Sequence, residues 1–140
     1  MKSLKPKRIL IILYAGDYYN AYYRMKNGLG EAYSFHNYTL DSISRLSRKD
    51  GVEEIAVLGW ATDQAYSYFI DLGFRVMGAG VDPYQDRKTI NKIIAGYKPT
   101  HMVLRTPIPY ILEWAIRSNV SVITLLADSF NSKDTKSRLR

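Results

Sequence analysis

Arg8-Ile9-Leu10-Ile11-Ile12-Leu13-Tyr14 is apolar at every position after its first residue and rich in β-branched side chains. A strand with one wet face alternates apolar and polar residues, so an unbroken run predicts a parallel strand covered on both sides. Ala15 and Gly16 close it. Beyond them come Tyr18, Tyr19, Tyr22 and Tyr23, and then Asn27-Gly28-Leu29-Gly30-Glu31, a stretch that reads as a long tyrosine-rich loop. Phe35, Thr39, Ile43 and Leu46 then fall on one face of a helix from about residue 34 to 49. Asp50-Gly51 stops it, glycine accepting the left-handed conformation that ends a helix.

Val52 to Trp60 predicts a second strand. Thr62 or Asp63 can cap a short helix whose apolar side is Ala65, Tyr66, Phe69, Ile70 and Leu72, with Gly73 as its end. Phe74 to Met77 is a short third strand, closed by Gly78-Ala79-Gly80. Asp82-Pro83-Tyr84-Gln85 offers an N-cap, a proline for the first turn and a capping-box glutamine. Ile90, Ile93, Ile94 and Tyr97 supply the buried stripe of that helix, and Pro99 forbids its continuation. Thr100 to Arg105 is a fourth strand. Thr106 and Pro107 start a last helix with Ile108, Ile111, Leu112, Ala115 and Ile116 inward, and Val120 to Leu126 is a fifth strand.

Strands alternating with helices through short connections imply right-handed crossovers in a parallel sheet. The expected fold is therefore a three-layer α/β sandwich, a Rossmann-like doubly wound sheet of about five strands ordered 3-2-1-4-5. Residues 1–132 form one domain on this reading. Residues 133–140 are a basic tail, read as the start of a truncated or interdomain segment.

Charge changes this picture little. The formal net charge is +7, but residues 1–8 hold four bases and no acid, and residues 133–140 hold four bases and one acid. The body between them is neutral, with no basic face of the kind a nucleic-acid binder builds into its fold. Solvated ends are the plain reading, and peripheral contact with an anionic membrane is the sharper one. No cysteine is present, which excludes disulfides, thiolate metal sites and a cysteine nucleophile, and suits a cytoplasmic setting. The longest apolar run is far too short to cross a bilayer.

In open α/β sheets, ligands bind outside the carboxyl ends of the strands. Gly28 and Gly30 follow the first strand, yet G-x-G-x-x-G is not completed and no G-K-[ST] occurs. The two glycines either serve a left-handed turn or let a ligand approach the backbone. Seven tyrosines lie between Tyr14 and Tyr38. Their rings and hydroxyls suit sugars, and equally suit packing on the core. Arg105-Thr106-Pro107 sets a cation beside a helix start at the end of the fourth strand, where an anion or an ordinary cap would fit. His101 reads as structural, and His36 faces the loop side of the first helix. Neither has companions at metal-ligand spacing. Asp17, Asp82 and Asp128 end or follow strands, Asp82 as a cap.

Lys7-Arg8-Ile9-Leu10, the Gly28/Gly30 loop, Ile94 to Leu104 and Val120 to Asp128 together resemble the N-terminal half of a GT-B glycosyltransferase, of the large retaining family called group 1 or family 4. The likeness runs across nearly the whole chain. It implies that the chain is an acceptor-binding domain. The nucleotide-sugar donor belongs to a C-terminal domain of the same parent, and this chain alone is inactive and holds no cofactor. Its partners would be a sugar or glycolipid acceptor and that donor-binding domain. The crevice would be built by Gly28, Gly30, Tyr18, Tyr19, Arg105, Thr106, Asp128 and Ser129. Where the family has a histidine before the last of these aspartates, this chain has Ala127, and Arg105 occupies the histidine position after the fourth strand. The alternative is a free-standing flavodoxin-like or Rossmann-like binding or regulatory module without catalysis.

Overall fold

The computed structural model describes residues 5–13, 16–32, 35–60, 62–105 and 108–124. In chain order they form β1 (Lys7–Leu13), α1 (Tyr18–Lys26), α2 (His36–Ser47), β2 (Val52–Gly59), β3 (Tyr66–Phe69), β4 (Arg75–Gly78), α3 (Arg87–Tyr97), β5 (His101–Leu104), α4 (Pro109–Arg117) and β6 (Ser121–Thr124). One sheet holds all the strands in the order β3-β4-β2-β1-β5-β6. Every pairing is parallel except that of β3 with β4. The fold is a Rossmann-like α/β sandwich, and the five strands expected from the sequence keep their expected order.

β1 is the centre because it is apolar in both directions. Ile9, Ile11 and Leu13 enter the core under α1 and α2, while Leu10 and Ile12 enter the core under α3 and α4. β2 repeats the alternation, with Ile55 and Val57 on the first side and Ala56 and Leu58 on the second. Each fully buried aliphatic side chain contributes about 1.5–3 kcal/mol. Burying both faces of β1 therefore ties the two helical layers to one element.

Several local expectations are corrected. The tyrosine-rich loop is in fact the helix α1. Asp17 is its N-cap, its carboxylate accepting from the backbone N–H groups of Tyr19 and Asn20. Gly28 takes φ +67, Leu29 N–H reaches the Arg24 carbonyl at 2.8 Å and Gly28 N–H the Met25 carbonyl at 3.3 Å. That double closure is a Schellman ending, which needs a residue content with a left-handed backbone.

The segment read as a helix around residues 62–72 is instead β3. The stretch Tyr66-Ser67-Tyr68-Phe69 pairs antiparallel with β4, Tyr66 opposite Gly78 and Phe69 opposite Arg75. Aromatic residues suit a pleated surface, and that preference outweighed the helical spacing of Ala65, Tyr66, Phe69 and Ile70.

The connection between β2 and β4 consequently has no crossover helix. The space such a helix would cover is filled by α1, which packs against β4, while α2 packs against β2. An insertion in the first crossover thus replaces the helix missing from the second.

Smaller shifts follow the same logic. α2 buries His36, Leu40, Ile43 and Ser44, not Phe35 and Leu46; Phe35 is 73% exposed at φ +70. α3 is capped by Asp86, which accepts from Thr89 N–H at 3.1 Å, whereas Asp82 turns the preceding loop by accepting from Tyr84 N–H. α4 begins after Ile108 with no side-chain cap, and its Ile116 points to solvent. Thr106 and Pro107, expected to start it, and Leu125 and Leu126, expected to end the last strand, lie outside the described residues.

Candidate functional site

The order of the sheet reverses between β1 and β5, so the crevice to inspect is the carboxyl edge of those two strands. The backbone leaving β1 crosses the end of β2 so closely that a Cβ on Gly59 would collide with the carbonyl oxygen of Gly16. This contact places Asp17 over the sheet. Its Oδ1 accepts from the Tyr19 N–H at 3.0 Å, the Asn20 N–H at 3.1 Å and, in a short bond, the Tyr66 hydroxyl. The start of α1 is therefore pinned at once by its own cap and by the edge strand.

Pinning α1 there turns Tyr18 inward. Its ring is 3% exposed and lies 5.1 Å from that of His36, the first residue of α2. Burial pushes the Tyr18 hydroxyl above its ordinary pKa, and the positive charge of Arg105 opposes the rise. Burial likewise holds His36 below its ordinary value, with Glu31 pulling the other way. Glu31 accepts from Asn37 N–H at 3.0 Å and so supports the start of α2. Arg105 N–H donates to the Ile12 carbonyl at 3.2 Å, which carries the pairing of β1 and β5 one residue further and fixes where its side chain leaves the sheet. Arg105 itself is exposed and makes no ion pair among the described residues.

Tyr18 and His36 thus meet ring to ring at the carboxyl edge of β1, and Arg105 leaves the end of β5 near enough for its charge to act on the Tyr18 hydroxyl. Such a set can hold hydroxyls or an anion.

No protein-family model, curated protein or solved structure matches this chain.

The remaining residues expected at the site are distributed elsewhere. Tyr19 turns away from Tyr18 toward β3. Gly28 and Gly30 sit past the far end of α1, which Tyr22 and Lys26 tie to Asp71 in the β3–β4 turn at 2.6 and 2.8 Å. That turn is at the opposite edge of the sheet from the crevice, so the structure does not bring the glycines to Arg105. Gly28 closes a helix, and the Gly30 carbonyl accepts from Arg24 Nε at 2.6 Å. Thr106, Asp128 and Ser129 lie outside the described residues. His101 starts β5 at the amino edge, where its Nδ1 lies 2.8 Å from the Thr100 hydroxyl.

Two cavities were not foreseen. One of about 460 Å³ opens at the carboxyl edge beside β2 and β4, between Trp60, Thr62, Asp63, Asp82 and Pro83. The larger, about 620 Å³, runs between α3 and β3 and ends at Arg8, Glu54, Arg75 and Tyr97. At that end the charges are paired, while Lys92 lines the cavity from α3. Arg8 bridges Glu53 at 2.8 Å and donates to the Tyr97 carbonyl, closing the end of α3, while Arg75 reaches Glu54 at 3.3 Å. This cluster reads as a clasp between sheet and helix. Among the described residues, no three metal-ligating side chains are grouped, and no helix is long and apolar enough to cross a membrane.

Proposed function

We propose that this chain is the acceptor-binding domain of a two-domain glycosyltransferase. The reaction it serves would move a sugar from a nucleotide-sugar donor to a hydroxyl of an acceptor held at the carboxyl edge of β1 and β5. The observation that carries the reading is the placement of Tyr18, His36 and Arg105 at the carboxyl edge of β1 and β5, where a hydroxyl, an imidazole and a guanidinium could hold a polar acceptor. The first helix start supports it. In dinucleotide-binding folds the free N–H groups after β1 receive the pyrophosphate. Here the Asp17 carboxylate already accepts them, and a second negative charge would be repelled. The donor would be bound by another domain, closing over this one as the reaction proceeds. The basic ends of the chain would hold it against an anionic membrane face, where a lipid-linked acceptor is presented.

The test combines turnover with binding on the purified chain. Expected are no consumption of any nucleotide-sugar, and binding of simple glycosides that shifts the amide resonances of Tyr18, His36 and Arg105. Arg105→Ala should weaken that binding by roughly tenfold or more, the range of a hydrogen bond to a charged group. Turnover by the chain alone, or nucleotide binding indifferent to Arg105→Ala, overturns the proposal.

A further inference from the structure

Beside the crevice, α1 and β3 meet in a group of tyrosines that the core does not absorb. Tyr66 and Tyr68 stack with centroids 5.4 Å apart, and Tyr19 tilts against Tyr68 at 5.0 Å and meets Tyr66 edge-on at 5.9 Å. Tyr23 lies one turn beyond Tyr19 on the same helix face. Three of these rings remain open to solvent: Tyr19 is 39%, Tyr23 52% and Tyr68 51% exposed.

Tyr66 anchors Tyr19 and Tyr68. The Tyr66 hydroxyl is held by Asp17 and also accepts from the Tyr19 N–H at 3.3 Å. Gly78 opposite Tyr66 has no Cβ; one there would stand 2.7 Å from Thr62 Oγ1 and run into the Tyr66 ring. Rings held this way lose little freedom on binding. Beside the rings Lys26 and Asp71 pair at 2.8 Å, and the Asp17 carboxylate is engaged by the Tyr66 hydroxyl and two backbone N–H groups. A neutral ligand with apolar C–H faces and many hydroxyls, a saccharide, matches rings of this kind. A second copy of the chain matches less well, because β3 has only four residues to offer as a pairing edge.

The platform starts one residue from Tyr18. Tyr18 and Tyr19 are neighbours in the first turn of α1, one ring turned to the switch point and the other to β3. We propose that the acceptor is an oligosaccharide, its reacting end in the crevice and its further units stacked on Tyr19, Tyr23 and Tyr68. This rests on the acceptor reading above, and it adds the substrate class.

Calorimetric titration with mono-, di- and tetrasaccharides of glucose, mannose and N-acetylglucosamine tests it. In at least one series affinity should rise with length, by about 2- to 10-fold for each stacked ring. Tyr68→Ala and Tyr23→Ala should each erase that gain and leave monosaccharide binding unchanged, while Tyr68→Phe keeps it. Should Tyr68→Ala fail to fold, the more isolated Tyr23→Ala decides. Monosaccharide binding with no length dependence, or a length dependence indifferent to both alanine variants, overturns the platform and leaves the acceptor reading standing. Concentration-dependent self-association abolished by Tyr68→Ala also overturns it, assigning the rings to a second copy. Absence of binding at every length overturns both.

Discussion

The two faces of the sheet are built by different means. Under α3 and α4 the core is mostly aliphatic, with Leu10, Ile12, Leu58, Ile90, Ile94 and Ile111 closed off around Trp60 and Tyr97, and each helix belongs to the crossover in which it lies. Under α1 and α2 the core mixes Ile55 and Val57 with Tyr18, Tyr22 and Phe74, and one helix covers a strand that its own crossover does not reach. The more aliphatic face is held by burial and by the clasp of Arg8 on the end of α3. The aromatic face adds directional bonds, Tyr66 to Asp17 and Tyr22 to Asp71, because a helix borrowed from elsewhere must be positioned as well as buried. Positioning is also what turns Tyr18 to the crevice and Tyr19 to the edge strand.

The largest expected effects come from truncating one buried side chain on each face. Phe74→Ala should cost about 3–5 kcal/mol and Ile94→Ala about 2–5 kcal/mol in denaturant unfolding. Only the former should release α1 and β3 first, seen as faster amide exchange confined to them. Equal loss of protection on both faces would mean that the borrowed helix is no separate unit.

A smaller change isolates the directional bond. Tyr66→Phe keeps the ring but removes the hydroxyl that Asp17 and Tyr19 share, and should cost about 1.5–3 kcal/mol. Burial raises the Tyr66 hydroxyl above its ordinary value of 10.0, so the wild type keeps this contribution below that pH and loses it as pH rises further. Urea midpoints should therefore fall above about pH 10 in the wild type and fall less steeply in Tyr66→Phe.

The smallest effect compares two surface carboxylates, one for each face. Asp71 is held below its ordinary value of 3.8 by Lys26 and then by Tyr22, and Asp86 is held below it by Thr89. Both contributions are complete above the unfolded value and fade as pH falls through the lowered folded one. Asp71→Asn and Asp86→Asn should each destabilise slightly at neutral pH, and the difference from wild type should vanish in acid. Asparagine at 71 should loosen α1, whereas at 86 it should loosen the start of α3.

The same contrast explains what could be read from the chain. Five strands, their order and the stripe Ile90, Ile94 and Tyr97 were legible because aliphatic side chains repeat at the period of their element. The aromatic face was not. Tyrosine serves core, surface and ligand alike, so the i, i+4 pairs Tyr18/Tyr22 and Tyr19/Tyr23 put the same residue on both faces and gave no apolar–polar contrast, and the cap at Asp17 and the Gly28 ending were the signals that could have shown a helix. In β3, Tyr66 and Tyr68 alternate as a strand does, but Phe69 and Ile70 gave a helical alternative, and only pairing with β4 resolves it. At the candidate site Tyr18 and Arg105 were anticipated, and His36 stood as a weaker candidate. Gly28 and Gly30 were misplaced because their distance from the crevice depends on α1 being helical.

Finally, the borrowed helix bears on the order in which the chain assembles. As synthesis proceeds, α1 emerges well before β3 and β4, and β1 before either neighbour, β2 at Val52–Gly59 and β5 at His101–Leu104. Contacts so distant in sequence close slowly. Helix α1 must therefore wait, its outer tyrosines uncovered, for β3 and β4 still to be synthesised. A chaperone that shields the aromatic segment of α1 should then raise the yield of folded protein, more than one acting on the segments of α3 and α4.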